Sequence, residues 1–159
     1  MLMRLRSAFL LLTLATIFAL LTVGAYVTAA GYGDACGSSV PSDYPLCQGH
    51  LLPPLQAAPI AEYSHRLLAS LSTLFLFVTT FLFWRDKGAP GGARRSLYAA
   101  SMLIVAEVFL GAAVVAATEP TWLVTLHQAD ALLVFGFVVA AFALGIDRRP
   151  NAIPPGGGA

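Results

Sequence analysis

Residues 7–28 read SAFLLLTLATIFALLTVGAYVT, and no charged side chain appears between Ser7 and Gly33. A helix rises about 1.5 Å per residue, so roughly 20 apolar residues cross the hydrocarbon core of a bilayer. This stretch is long enough, and reading it as a membrane span decides the class of the whole chain. Three further apolar stretches follow, at about 60–84, 96–117 and 122–146. Of the 159 residues, 58% are hydrophobic and 11% charged, against roughly 25% charged in soluble domains. Those numbers exclude a soluble globular domain. A formal net charge of +1 offers no basic surface for nucleic acid, and no such partner is expected.

The first stretch has a rival reading as a cleaved signal peptide. Arg4 and Arg6 precede it, and VTAAG (27–31) resembles a cleavage site. Its apolar run is longer than the ~7–15 residues of a signal-peptide core, which favours a span. The basic residues then set the orientation. Arg4, Arg6, Arg85, Lys87, Arg94, Arg95, Arg148 and Arg149 fall on one side of a four-span chain, and only Arg66 falls toward the other. Both termini are therefore expected in the cytoplasm, with residues 29–59 and 118–121 facing outward. Short connections between the later spans predict an all-α integral membrane fold, an antiparallel four-transmembrane-helix bundle. Residues 1–147 would form one membrane domain, and the Pro/Gly-rich residues 148–159 a mobile cytoplasmic tail. No internal repeat is visible.

The two cysteines, Cys36 and Cys47, both lie in the long outward loop. Thiols oxidise outside the cytoplasm, which favours a disulfide. A structural staple is the plainer reading and a redox pair the sharper one, and the spacing is not the C-x-x-C of thiol oxidoreductases. The loop is rich in glycine and proline but also carries Leu46, Leu51, Leu52 and Leu55. That mixture suits a compact lid at the membrane surface.

Ionisable groups at membrane depth are costly, so each is a site candidate. The second stretch opens AEYSHRLLAS (61–70), with Glu62, His65 and Arg66 at spacings that place them on neighbouring helix faces. The fourth contains WLVTLHQADALL (122–133), with His127 about one turn below its outer end. The two imidazoles reach similar depth on the same side of the membrane. Neutral imidazole ligates iron, copper and zinc. Two imidazoles from facing helices suit the axial positions of a haem and are too few for a closed zinc site. Ala69, Ser72 and Ala131 lie below them and leave room for a flat macrocycle. Arg66 could pair with a propionate, assisted by Tyr63 or Gln128, and Glu62 could handle protons. Against this stands the bland reading of each histidine as an interfacial polar residue, and His50, in the loop, is read that way. Glu107 lies mid-span, one turn before Gly111, and is expected to be structural or at an oligomer interface rather than a proton relay. Asp130 could support His127 or line a wet cavity. Glu119 is expected to be solvated.

At these residues the chain resembles the haem A synthase family. The resemblance runs through GAYVTAAGYGDAC (24–36), DYPLCQG (43–49), EYSHRLLASL (62–71), FLGAAVV (109–115) and TLHQADALLVF (125–135). It implies an oxidoreductase of the prokaryotic plasma membrane that converts a methyl group of haem O to a formyl group, giving haem A for terminal oxidases. It also implies that Glu62 is catalytic, that His65 and His127 ligate haem iron, and that Cys36 and Cys47 form a disulfide. Typical members have two similar four-helix halves, one for the substrate haem and one for a resident haem b. This chain matches one half, which implies a homodimer or larger homo-oligomer. Membrane lipid, a haem O supplier and the terminal oxidase pathway are the implied partners, with the electron donor unnamed. The rivals are a non-catalytic bis-histidine b-type haem carrier and a disulfide-exchange protein, the latter disfavoured by the lack of a second cysteine pair.

Overall fold

The computed structural model describes residues 2–37, 39, 43 and 46–146. It contains α1 (Leu2–Ala30), α2 (Ala57–Arg85), α3 (Gly91–Ala116) and α4 (Thr121–Ile146). All four are long and apolar enough to cross a membrane. The tail at 148–159, and with it Arg148 and Arg149, lies outside the described residues.

The helices run past most ends of their apolar cores. α1 begins at Leu2 rather than near Ser7, because Arg6 is buried within it. Arg6 Nη1 lies 2.6 Å from Asp86 Oδ2 just past α2, and its guanidinium stacks 5.1 Å above the Phe83 ring. A charge paired in this way no longer limits the helix. α3 begins at Gly91, after Pro90. Proline's fixed φ and missing N–H suit the start of a helix.

α1 packs mainly on α2 and α3 mainly on α4, with lighter contact between the two hairpins and none along the α1–α3 and α2–α4 diagonals. The buried positions step by three and four: Leu10, Thr13, Ile17 on α1, and Ala93, Leu97, Ala100, Ile104 on α3. This is the apolar seam of a helix bundle. Alanines 93, 100 and 141 let backbones approach closely in a membrane setting, where packing rather than water exclusion drives association. Two polar clamps cross the seam. Thr13 and Thr79 hydroxyls lie 2.8 Å apart between α1 and α2, and Thr80 and Ser101 hydroxyls 2.9 Å apart between α2 and α3.

The joined core has a clear location. Its members are Leu10, Ile17, Leu76, Phe83, Ala89, Ala93, Leu97, Ala100, Ile104, Val134, Val138 and Ala141. Most lie in the half of the bundle away from the α1–α2 loop, with Ile17 and Ile104 at its midline. The loop half has no counterpart cluster among the described residues, and it is there that the ionisable groups sit.

Two helix ends build the loop side. α1 closes with Gly31 at φ +65°, where Gly31 N–H donates to the Thr28 carbonyl and Tyr32 N–H to the Val27 carbonyl. This paired closure satisfies two orphan carbonyls and needs a left-handed residue, which glycine supplies without strain. α3 closes with the same pattern through Thr118 and Glu119, but with Thr118 at φ +58°. A β-branched residue is strained there.

Candidate functional site

The α1–α2 loop is tied into a compact structure. Cys36 and Cys47 form a disulfide, and both are fully buried. Gln48 N–H donates to the Cys36 carbonyl at 2.8 Å, and Cys47 N–H to the His50 carbonyl at 2.9 Å. His50 itself is exposed.

α2 holds this loop from below with two side chains one turn apart. Glu62 is buried, and its Oε2 accepts the Cys36 N–H at 2.6 Å. Its Oε1 accepts from Arg66 Nη2. Arg66 also donates to the carbonyls of Asp43 (2.6 Å), Leu46 (3.2 Å) and Gly37 (3.1 Å). A guanidinium that already serves three loop carbonyls and a carboxylate is a loop anchor. The planar fork of donors on Arg66 holds the backbone of the loop.

His65 lies about 12 Å along α2 from Ala57, by helical rise, one turn beyond Glu62. Its imidazole rests against α1 at Gly24, where a methyl group would come within 2.8 Å of Cε1 and 3.2 Å of Nδ1. His65 Nδ1 is buried and makes no aligned hydrogen bond, and the ring lies beside the Leu20 backbone. His127 lies about 9 Å along α4 from Thr121. Its imidazole rests against α3 at Gly111, where a methyl group would come within 3.1 Å of Cε1. Each imidazole thus lies on a glycine of its hairpin partner. α2 and α4 oppose each other diagonally, and the two rings are within electrostatic reach of one another.

Glu107 is not remote from this pair. Its Oε1 lies 3.0 Å from His127 Nδ1, and its carboxyl interacts with Asp130 as well. The Nδ1 contact is short but not aligned as a formed hydrogen bond, and Glu107 Oε2 and Asp130 Oδ2 are buried without partners. Hairpin register shows why the three meet. With α3 and α4 joined by the turn at 117–120, the residue facing 127 lies near 110, so Glu107 and Gly111 flank His127 on either side. That signal was present in the spacing, and it places Glu107 on the candidate ligand rather than at a structural contact elsewhere. One more polar atom points to the same region: Ser72, two turns below His65, is fully buried with an unpartnered hydroxyl.

Glu119 differs from expectation. It is half-buried, and its Oε1 sits so close over Gly33 that any Cβ there would overlap it. Burial raises its carboxyl above the ordinary value of 4.5, and Asp34 adds to the rise.

Two imidazoles from diagonal helices, small residues where the rings dock and orphaned polar atoms beside them are a donor set that fits an iron macrocycle. No group of three or more His, Cys, Asp or Glu able to hold a bare metal ion occurs among the described residues.

Residues 2–139 match the family described as cytochrome oxidase assembly protein, COX15-CtaA. The chain belongs to this COX15-CtaA family. It is a multi-pass protein of the cell membrane. Relatives include a protein of Symbiobacterium thermophilum named heme A synthase, 33% identical over 129 residues, covering 79% of this chain and 40% of the relative. One of Staphylococcus epidermidis with the same name is 31% identical over 135 residues, 81% of this chain and 42% of the relative. Another, of Bacillus pumilus, is 30% identical over 138 residues, 84% and 44%. The chain spans about two fifths of the length of these COX15-CtaA relatives. No solved structure matches it.

Proposed function

We propose that this protein is a haem A synthase subunit that oxidises the C8 methyl group of haem O to a formyl group. The observation that carries the reading is the pair of imidazoles, His65 and His127, docked on glycines at matched depth beneath a pinned disulfide loop. His65 and His127 are the residues that would hold an iron porphyrin, which would supply the oxidation–reduction chemistry. A resident haem b and the substrate haem O are the two groups such a site would take. Oxidation of a methyl group moves protons as well as electrons, and Glu62, one turn from His65, is the proposed catalytic carboxyl for handling them. Glu62 also fixes the lid through the Cys36 N–H, and Arg66 secures the same lid, so together they keep water from the reacting face.

The distribution of basic residues supports a topology with the loop on the outer side of the membrane and both termini in the cytoplasm. One histidine pair serves one haem. A site for substrate and a site for resident haem therefore require two four-helix units, which a homodimer or larger homo-oligomer provides. A haem O supplier, an electron donor and the terminal oxidase pathway complete the proposed setting.

The test is expression of the chain in a membrane supplied with haem O, followed by chromatography of extracted pigments. Hydroxylated and formylated products are expected, and their loss in His65→Ala and His127→Ala. Folded protein that leaves haem O unchanged overturns the reading. One observation favours the non-catalytic haem carrier: both oxygens of Glu62 are occupied. It predicts a bis-histidine spectrum without product.

A further inference from the structure

The two candidate ligands are chemically unlike. His127 has a carboxylate at its Nδ1, with Glu107 Oε1 at 3.0 Å. His65 has no carboxylate: the polar group beside its ring is the Leu20 backbone, and Glu62, the acidic residue one turn away on its own helix, is engaged with Cys36 N–H and Arg66. Glu107 and Gly111 lie one turn apart on the same face of α3, so the His127 ring is held between a carboxylate at one edge and a bare backbone at another. A small rotation would bring Nδ1–H into line with Oε1, the kind of adjustment that completes hydrogen bonds when a ligand binds.

Resting on the haem reading above, we infer that Glu107 is a positioning residue for the iron ligand His127. It holds the imidazole by Nδ1, leaves Nε2 for the metal, and makes His127 the stronger ligand of an unequal pair. A carboxylate behind a metal-bound histidine fixes its tautomer and raises its basicity, and losing such a partner weakens metal affinity about 10–100-fold. The added negative character favours ferric over ferrous iron.

The experiment titrates the purified full chain in detergent with haemin and follows the Soret band and the midpoint potential. Glu107→Gln keeps the shape and removes the charge. It is expected to weaken haemin binding about 10–100-fold and to raise the potential by about 59 mV for each tenfold that ferric affinity falls beyond ferrous. Glu107→Asp should recover part of both. Should Glu107→Gln fail to fold, Gly111→Ala is read instead. Its Cβ, 3.1 Å from Cε1, displaces the ring from Glu107, and the same weakening is expected. A wild type that binds haemin alongside a variant with the same affinity and potential overturns this inference alone. A wild type that does not bind haemin overturns it together with the proposed function.

Discussion

Gly24 of α1 and His65 of α2 are in such close register that a methyl group on the glycine would lie 2.8 Å from the imidazole Cε1. The obstacle is the edge of a ring, not the end of a flexible chain, so accommodation requires the ring to turn. Gly24→Ala is therefore expected to lower haem content measured as the pyridine haemochrome, and Gly24→Val to abolish it, with the helical signal intact. Gly136→Ala is the control. Nothing lies within 4 Å of a methyl group there, and replacing a mid-helix glycine gains about 1 kcal/mol of helix propensity. Equal haem content in Gly24→Ala and Gly136→Ala would show that the ring is free to move.

Glu62 joins the loop to α2 by accepting the Cys36 N–H, and it is ion-paired with Arg66 one turn on. Both side chains of the pair are nearly buried, with 3% and 10% exposure. Removing one member leaves the other charge uncompensated, at a cost of about 3–5 kcal/mol. Glu62→Ala is expected to destabilise the protein by about that much, and Glu62→Gln by less. The disulfide, fully buried in the wild type, should become reducible by a membrane-impermeant reagent in both. Breaking the Cys36–Cys47 bond costs about 2–4 kcal/mol by the loop-entropy account. Because Glu62 grips the backbone of Cys36, the double cysteine variant and Glu62→Gln should be non-additive. Additive losses would mean that the loop does not depend on Glu62 for its seat.

The first span was legible because a charge-free run of more than twenty residues has few other physical readings, and the other three because each long apolar stretch carries only one or two charged residues. The charged ends were not. Arg6 is buried only because Asp86 and Phe83, some eighty positions away, receive it, and no local pattern reports such a partner. Glu62, His65, Arg66 and His127 stood out as ionisable groups at membrane depth, but what Arg66 does was hidden. Its acceptors are carbonyls of an irregular loop, and side-chain patterning says nothing about where loop backbone lies. The Glu107–His127 contact was recoverable from hairpin register, since the turn at 117–120 leaves little slack. The seat of Glu119 on Gly33 was not, because it depends on how the α1 terminus meets the turn between α3 and α4.

Glu119 gives the pH dependence. Its folded carboxyl titrates above the ordinary 4.5, first from burial and then from Asp34. A raised acid favours the folded state in its protonated form. That contribution is fully present below the unfolded value of 4.5 and is lost as pH rises through the folded value. Thermal melts in detergent should therefore show the α3–α4 turn held more firmly near pH 4 than at pH 7. Glu119→Gln should flatten that difference and raise the midpoint at neutral pH. Unchanged pH dependence in Glu119→Gln would assign it to another group. Gly33→Ala meets the Glu119 carboxylate directly and should lower stability at both pH values.

Ser72 separates stability from function. Its hydroxyl is fully buried and unpartnered, although a serine in a helix can usually donate to the carbonyl one turn back. An unsatisfied buried polar group costs about 1–3 kcal/mol. Ser72→Ala removes that group with almost no change of shape, so the haem-free protein is expected to gain about 1 kcal/mol, read as a higher melting midpoint in detergent. A site residue kept at a cost in stability should be missed once the ligand is present. Ser72→Ala is therefore expected to bind haemin more weakly than wild type while being the more stable of the two without it. If the variant is more stable and binds equally well, the hydroxyl serves no ligand. If it is less stable, the hydroxyl already has a partner such as a buried water, and the open half of the bundle is wetter than its apolar lining suggests.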